Sequence, residues 1–293
     1  MTYNMNKIKE SKPISFIIIS IVYILSTVLQ VFLFNTLNID SLYLKILIID
    51  IIATIFVFIF SLIFDNSSIY DPYWSVEPAV ILILLMAHNK INYPVVISFG
   101  IVILLWSIRL TLNWALSFKN LTKQDWRYSM FKEKTKKFYP LVNLFGIHLF
   151  PTIVVYLTML PMIDFITINY TNYFSYFGVV IMLLGILFEI LSDLDIYEYH
   201  KRNKEDRRQI INTGLWKYSR HPNYFGEIIF WYGVFISLLP VDPSSWYLCI
   251  GAIVNNLMFV FISIPMAEKR LKTYKFNYEK YQEETRMLIP FKK

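Results

Sequence analysis

The stretch Leu42–Phe64, LYLKILIIDIIATIFVFIFSLIF, decides the fold. It is apolar from end to end apart from Lys45 near its start and Asp50 in its body. A helix crossing the hydrocarbon core of a bilayer needs roughly 20 predominantly apolar residues, and this stretch supplies them. It has company on both sides. Working outward, eight apolar segments run at about Pro13–Phe34, Leu42–Phe64, Trp74–Ala87, Pro94–Phe118, Leu141–Ile163, Tyr173–Ile196, Tyr224–Leu239 and Trp246–Met266. The third and seventh are short for a full span and so are read as tilted, re-entrant or broken. The whole chain agrees with that pattern: 56% of its 293 residues are hydrophobic and only 17% are charged, and mean hydropathy is +0.47. A soluble domain of this length carries fewer apolar and more charged residues. The expectation is an all-α, polytopic membrane protein with about eight transmembrane helices.

Charge placement orients it. Lys7, Lys9 and Lys12 precede the first segment. FKNLTKQDWRYSMFKEKTKK lies between the fourth and fifth, HKRNKEDRRQ with Lys217 and Arg220 between the sixth and seventh, and Lys269 to Lys293 follows the eighth. Only Lys90 sits in an alternate connection. With eight spans every cluster falls on one face, which the positive-inside rule makes cytoplasmic, with both termini there. The net charge of +7 is therefore topology signal and attraction to anionic headgroups, and it calls for no nucleic-acid partner. The expected setting is multi-pass in a membrane, the endoplasmic reticulum in a eukaryote or the inner or plasma membrane in a prokaryote. With one cysteine, Cys249, there is no internal disulfide and no cysteine metal site. The opening MTYNMNKIKESKP has no evident cleavage site, so the first apolar run reads as a retained helix. No linker, repeat or low-complexity block interrupts the chain, so it reads as a single membrane domain over 1–293.

Ionisable groups inside apolar runs are costly and mark function first. They are Asp50, Glu77, Arg109, His148, Glu189, Asp193, Asp195 and Glu227. Glu189 and Asp193 are four apart and share a helical face; they are either wet in the headgroup zone or face a cation or a ligand donor. Four histidines, His88, His148, His200 and His221, are scattered singly, which argues against di-iron chemistry. No GxGxxG or P-loop pattern occurs, which excludes a simple soluble nucleotide-binding fold.

In NTGLWKYSRHPNYFGEIIFW, residues 212–231, Lys217, Arg220 and His221 crowd the entrance of a helix that starts at Pro222, a residue suited to a first helical turn. A helix N-terminus flanked by Arg220, Arg207 and Arg208 is either an anion site or a surface-anchored start touching lipid phosphate. Gly226 permits close approach of a ligand or a neighbouring helix. The C-terminal PMAEKRLKTYKFNYEKYQEETRMLIPF reads as an amphipathic cytoplasmic helix returning to the membrane. Its Tyr274, Tyr278 and Tyr281 either anchor at the interface or roof a cofactor site.

GLWKYSRHPNYFGE, with FEILSD upstream and EKRLKTYKFNYEKYQEETRMLIPF at the end, resembles the C-terminal domain of the steroid 5-alpha-reductase family, and most closely its largely uncharacterised branch of membrane proteins. DPYWSVEP, LLWSIRLTLNW and DWRY extend the resemblance to about Asp71. The branch is distantly similar to sterol reductases and isoprenylcysteine carboxyl methyltransferases. The resemblance implies a helical membrane fold enclosing NADPH in its C-terminal part, about residues 173–293. Carried over position by position, it puts cofactor contacts at Glu189, Asp193, Asn223, Arg270 and Tyr274, with Arg220, His221 and Tyr224 in the shared motif. It puts a substrate-facing glutamate at Glu77 and its partner tyrosine at Trp106, three residues before Arg109, which by topology is the nearest candidate to pair with Glu77. Two departures stand out. Glu189 replaces an asparagine and Trp106 a tyrosine of the steroid reductases, so one phenol donor toward a 3-keto group is missing. The segment carrying the reductases' phosphate-binding cation is replaced by EYHKRNKED.

The leading expectation is thus an NAD(P)H-dependent reductase of a carbon–carbon double bond in a lipophilic enone, in contact with membrane lipids and with no obligate protein partner. The alternatives are a methyltransferase using S-adenosylmethionine on a lipid or prenylated carboxylate, and a non-enzymatic membrane scaffold.

Overall fold

A computed structural model describes residues 9–89, 91, 93–168, 170–203 and 208–292. Lys7, Lys90, Arg207 and Lys293, named in the charge pattern, lie outside the described residues. Among the described residues the chain is helical with no strand; one isolated backbone bridge joins Ser219 and Arg286. Seven helical runs are long and apolar enough to cross a membrane: Lys12–Thr36, Leu42–Ile63, Ser67–Asn89, Pro94–Ser117, Trp126–Thr167, Ser175–Arg202 and Pro243–Tyr274. This is a multi-pass helical membrane protein. The count is one fewer than the eight apolar segments in the sequence. The difference is the seventh segment, helix Pro222–Leu238, whose 17 residues fall short of the roughly 20 that a full span needs.

The chain clusters into two compact units, Met1–Asn92 with Ile103–Thr167, and Tyr93–Val102 with Ile168–Lys293, where the sequence pattern reads as one domain. The first unit holds α1 (Lys12–Thr36), α2 (Leu42–Ile63), a 3₁₀ turn at Ser67–Tyr70 and α3 (Tyr73–Asn89). It continues with the later part of α4 (Pro94–Ser117), α5 (Trp126–Thr135) and α6 (Phe150–Thr167). Local chemistry sets the starts. Pro13 occupies the first turn of α1. The Ser41 hydroxyl accepts from Leu44 N–H at 3.3 Å, and Asp125 accepts from Arg127 N–H at 2.8 Å. α1 packs on α2, and α3 on α6. Ile17, Ile21, Ile24, Val28 and Phe32 line the outer face of α1 in full exposure, as lipid contact requires. Polar groups pair inside it: Thr54, Tyr70 and Thr152 join hydroxyls at 2.8 Å. In a membrane, where lipid removes the hydrophobic drive between helices, such bonds and close packing hold helices together.

The second unit is built on α7 (Ser175–Arg202), a 3₁₀ turn at Gly214–Lys217 and α8 (Pro222–Leu238). A 3₁₀ run Pro243–Cys249, α9 (Ile250–Met258), α10 (Ile264–Tyr274) and α11 (Tyr278–Glu284) complete it. α7 and α8 approach almost backbone to backbone. Glycines seven apart on each helix make this possible, Gly178 and Gly185 on α7 and Gly226 and Gly233 on α8. A Cβ on Gly226 would lie 2.6 Å from Glu189 Cγ, and one on Gly185 would lie 2.7 Å from the Gly226 carbonyl oxygen. Gly226 therefore serves a neighbouring helix. The C-terminal amphipathic segment is two helices rather than one. Asn277, with φ of 54°, turns the chain between α10 and α11 in the left-handed region that asparagine tolerates.

Candidate functional site

A cavity of about 280 Å³ lies in the second unit between the end of α7, the start of α8, and α10 with α11. Rings dominate its wall: Tyr199, Trp216, His221, Tyr224, Tyr274, Tyr278 and Tyr281 all line it. Each element is held by a traceable bond. Gly214, with φ of +57°, lets the 3₁₀ turn close on α7, so that Leu215 N–H donates to Asp195 Oδ2 at 2.9 Å. Trp216 Nε1 donates to the Ser192 carbonyl at 3.1 Å, and the Tyr281 hydroxyl donates to the Trp216 carbonyl at 2.5 Å. The His221 and Tyr224 rings stack at 5.3 Å, and Tyr224 leans on Phe259 at 4.7 Å. Burial raises the phenol pKa values of Tyr278 and Tyr281 above the usual tyrosine value, so both stay neutral hydroxyls.

Glu268 is the hub of one wall. Its Oε1 accepts from Arg220 Nε at 2.7 Å and meets His221 Nε2 at 3.1 Å, while Oε2 accepts from Gln282 Nε2 at 2.5 Å. Arg220 also donates through Nη1 to the Thr285 carbonyl at 2.5 Å and the Gln282 carbonyl at 3.1 Å. The two side chains are 10% and 12% exposed. Arg220 therefore staples the C-terminal segment to the start of α8 and is already engaged by a carboxylate. Arg208 likewise lies against the Phe276 ring at 4.5 Å. Asn223 stands apart. Its Oδ1 is buried with no hydrogen-bond partner, and the residue lines the cavity. A buried acceptor without a donor costs about 1–3 kcal/mol.

Of the expected cofactor residues, Arg220, His221, Asn223, Tyr224 and Tyr274 come together at the cavity. The other three stand elsewhere. Glu189 is buried where α7 meets Gly226, Asp193 is half-buried on α7, and Arg270 is exposed on α10. The wall that α7 contributes is one to two turns later, at Ile196, Tyr199 and His200. The sequence reading missed these residues and Glu268. The spacing of Ala267, Leu271 and Tyr274, which share the cavity wall, was the available signal that α10 faces inward.

A second, larger cavity of about 690 Å³ adjoins the first, sharing Ile210 and Tyr281 and carrying Lys217, Lys280 and Lys292 on its wall. The pair falls within or close to the roughly 300–1,000 Å³ typical of small-ligand sites.

The expected substrate residues belong to the first unit. Glu77 is 2% exposed and its Oε2 accepts from Gln30 Nε2 at 3.0 Å. Trp106 is fully buried and Arg109 half-buried on α4. Beside them, Ser107 Oγ donates to the Ser75 carbonyl at 2.6 Å, and Ser75 and Thr111 share a hydroxyl bond of 2.7 Å, tying α4 to α3. Among the described residues no group of three or more His, Cys, Asp or Glu could hold a metal ion.

The chain matches, over residues 56–285, a family described as Protein of unknown function (DUF1295). An uncharacterized protein of Schizosaccharomyces pombe is 27% identical over 176 residues, which are 50% of this chain and 51% of that relative. The similarity thus spans about half the length of the relative. No solved structure matches. The matched residues take in Glu77 and every residue of the aromatic cavity, and the chain belongs to the DUF1295 family.

Proposed function

We propose that this protein is an NAD(P)H-dependent oxidoreductase that reduces a carbon–carbon double bond conjugated to a carbonyl in a lipophilic substrate. The observation that carries the reading is the aromatic cavity of the second unit with its unpartnered acceptor, Asn223 Oδ1. A nicotinamide fits that chemistry: a planar ring for Trp216, Tyr224 and Tyr274 to flank, and a carboxamide N–H for Asn223 to receive. Arg220 is not the phosphate partner in this reading, because breaking its pair with Glu268 would strand a buried charge. When bound, the dinucleotide supplies a hydride to the β-carbon of the enone. The protein supplies orientation and electrostatics. Glu77, in the first unit, is the acid that the family resemblance offers for the substrate carbonyl. Because Oε2 already accepts from Gln30, the acid proton of a neutral Glu77 resides on Oε1. Glu77→Gln should then lower turnover roughly 10²–10³-fold, the range for loss of one oxyanion donor, with dinucleotide affinity unchanged.

The density of rings also favours a second reading, S-adenosylmethionine, whose sulfonium is a cation that aromatic faces attract. Thermal shift of the full chain purified in detergent separates them. A ligand at 100 times its Kd stabilises by about 2.7 kcal/mol. NADPH should raise the melting temperature and S-adenosylmethionine should not. The reverse result makes the protein a methyltransferase, and no shift with either leaves a scaffold.

The reading includes topology: eight crossings with both termini cytoplasmic, α8 being the short one. Lys134→Cys and Ser244→Cys, each in a Cys249→Ala background, should label from opposite sides of the membrane. Labelling from the same side removes the eight-span arrangement.

A further inference from the structure

The interior of the first unit holds a second set of unsatisfied atoms, of which the reductase reading uses only Glu77 Oε1. Ser26 and Gln30 lie one turn apart on α1, Asp50 on α2, and Tyr73 and Glu77 on α3. Ser26 is 2% exposed, Gln30 1%, Asp50 0% and Glu77 2%. The groups touch. Gln30 Nε2 donates to Glu77 Oε2 at 3.0 Å, and the Tyr73 hydroxyl donates to Asp50 Oδ1 at 2.8 Å. Tyr73 also meets Glu77, and the two carboxyls interact directly. Four atoms of this cluster have no hydrogen-bond partner: Ser26 Oγ, Gln30 Oε1, Asp50 Oδ2 and Glu77 Oε1. Every one is oxygen. Each can offer a lone pair to a ligand.

Their neighbourhood is apolar. One turn along the same three helices, Phe34, Ile46, Ile49, Ile81 and Leu85 surround a void of about 10 Å³, at the lower limit for a single water and without the polar partners one needs. Two carboxylates sharing such a site repel, and each would cost several kcal/mol to bury alone. A positive charge between them resolves both problems at once. An all-oxygen set of two carboxylates, an amide carbonyl and a hydroxyl is the donor set of a hard cation. With a proton on one of the two carboxyls a single positive charge leaves the site neutral, and that pairing of one proton with one cation suits a monovalent ion better than a divalent one. We propose that Ser26, Gln30, Asp50 and Glu77 form an intramembrane binding site for a monovalent hard cation of the sodium class.

The proposal does not depend on the dinucleotide reading. It does bear on Glu77, since an occupying cation would stand where the acid proton stands in that reading. The experiment uses the full chain in detergent with alkali chlorides alone and no cofactor. Sodium chloride should raise the melting temperature saturably over choline chloride at equal ionic strength, and Asp50→Asn and Gln30→Leu should each abolish the difference. Because both substitutions disturb buried hydrogen bonds, to Glu77 and from Tyr73, the wild-type protein gives a second readout. A hydrophobic carbodiimide adds protonated carboxyls in apolar surroundings across its C=N bond, and mass spectrometry locates the adduct. Sodium should protect Asp50 or Glu77 from modification at least tenfold relative to choline. Equal modification and equal melting temperatures in both salts overturn the cation site and leave Glu77 to the acid role. Dinucleotide binding is scored separately, so failure of either assignment is recognisable.

Discussion

The two units gather polar groups in opposite ways. Around the second unit's cavity they satisfy one another: Glu268 takes Arg220, His221 and Gln282, and the Tyr281 hydroxyl reaches the Trp216 carbonyl. There is space, about 280 Å³, and one conspicuous unmet acceptor, Asn223 Oδ1. In the first unit a void of only about 10 Å³ lies one turn from the cluster, and four of the cluster's oxygens lack a partner. One region offers a walled space and the other a buried set of acceptor oxygens. The difference teaches that a ring-bearing ligand and a small cation call for different surroundings, room and aromatic faces for the first and converging oxygens for the second.

The contrast can be broken by mutation. The largest effect is expected at the satisfied hub. Glu268→Ala leaves the Arg220 guanidinium buried without its carboxylate, which should cost about 3–5 kcal/mol of stability, read as a lowered melting temperature in detergent. Glu77→Gln should cost under about 1.5 kcal/mol, because Gln30 keeps a partner. If the two variants melt alike, the distinction between a structural hub and a functional cluster fails.

Next in size is the α7–α8 contact that carries the cavity. Gly226→Val drives side-chain atoms into Glu189 and the Gly185 carbonyl, an overpacking cost of about 1–3 kcal/mol, and should open the hairpin. Full stability in that variant would mean that α7 and α8 tolerate wider separation than their backbones adopt. A more local effect is expected at Gly214→Ala. A left-handed non-glycine residue costs roughly 1–2 kcal/mol, and the added methyl points at Asp195. The turn should loosen and weaken ligand binding at Trp216 while the helices remain intact.

How far the sequence carried depends on which signal each element bears. α2 ends within a residue of its apolar run, and α8 begins at Pro222, because hydrocarbon length and a proline are local signals. α7 runs on to Arg202, well past the apolar run that reads to about Ile196. Its last turns are polar, so hydropathy could not show that Tyr199 and His200 reach a cavity. The C-terminal amphipathic pattern concealed the break at Asn277, a single φ reversal inside an otherwise helical period. Resemblance drew attention to the SRHPNY segment, of which Arg220, His221, Asn223 and Tyr224 line the cavity, whereas Glu189 and Asp193, which it also named, stand one to two turns before the part of α7 that lines it. Arg220 looked like a free cation in sequence because its partner, Glu268, lies 48 residues away. Gln30, Asp50 and Glu77 come from three different helices, and only the packing brings them into one cluster.

The central claim is that the aromatic cavity of the second unit holds a dihydronicotinamide dinucleotide. Trp216 in its wall makes a direct measurement possible: energy transfer from tryptophan to the reduced nicotinamide during titration of the detergent-purified full chain with NADPH. The account predicts a saturable signal, largely lost in Trp216→Phe. In Asn223→Ala it should shift to weaker binding by roughly five- to 150-fold, the equivalent of about 1–3 kcal/mol for one lost buried hydrogen bond. A saturable signal that neither substitution changes would put the dinucleotide elsewhere, and no saturable signal at all would contradict the claim.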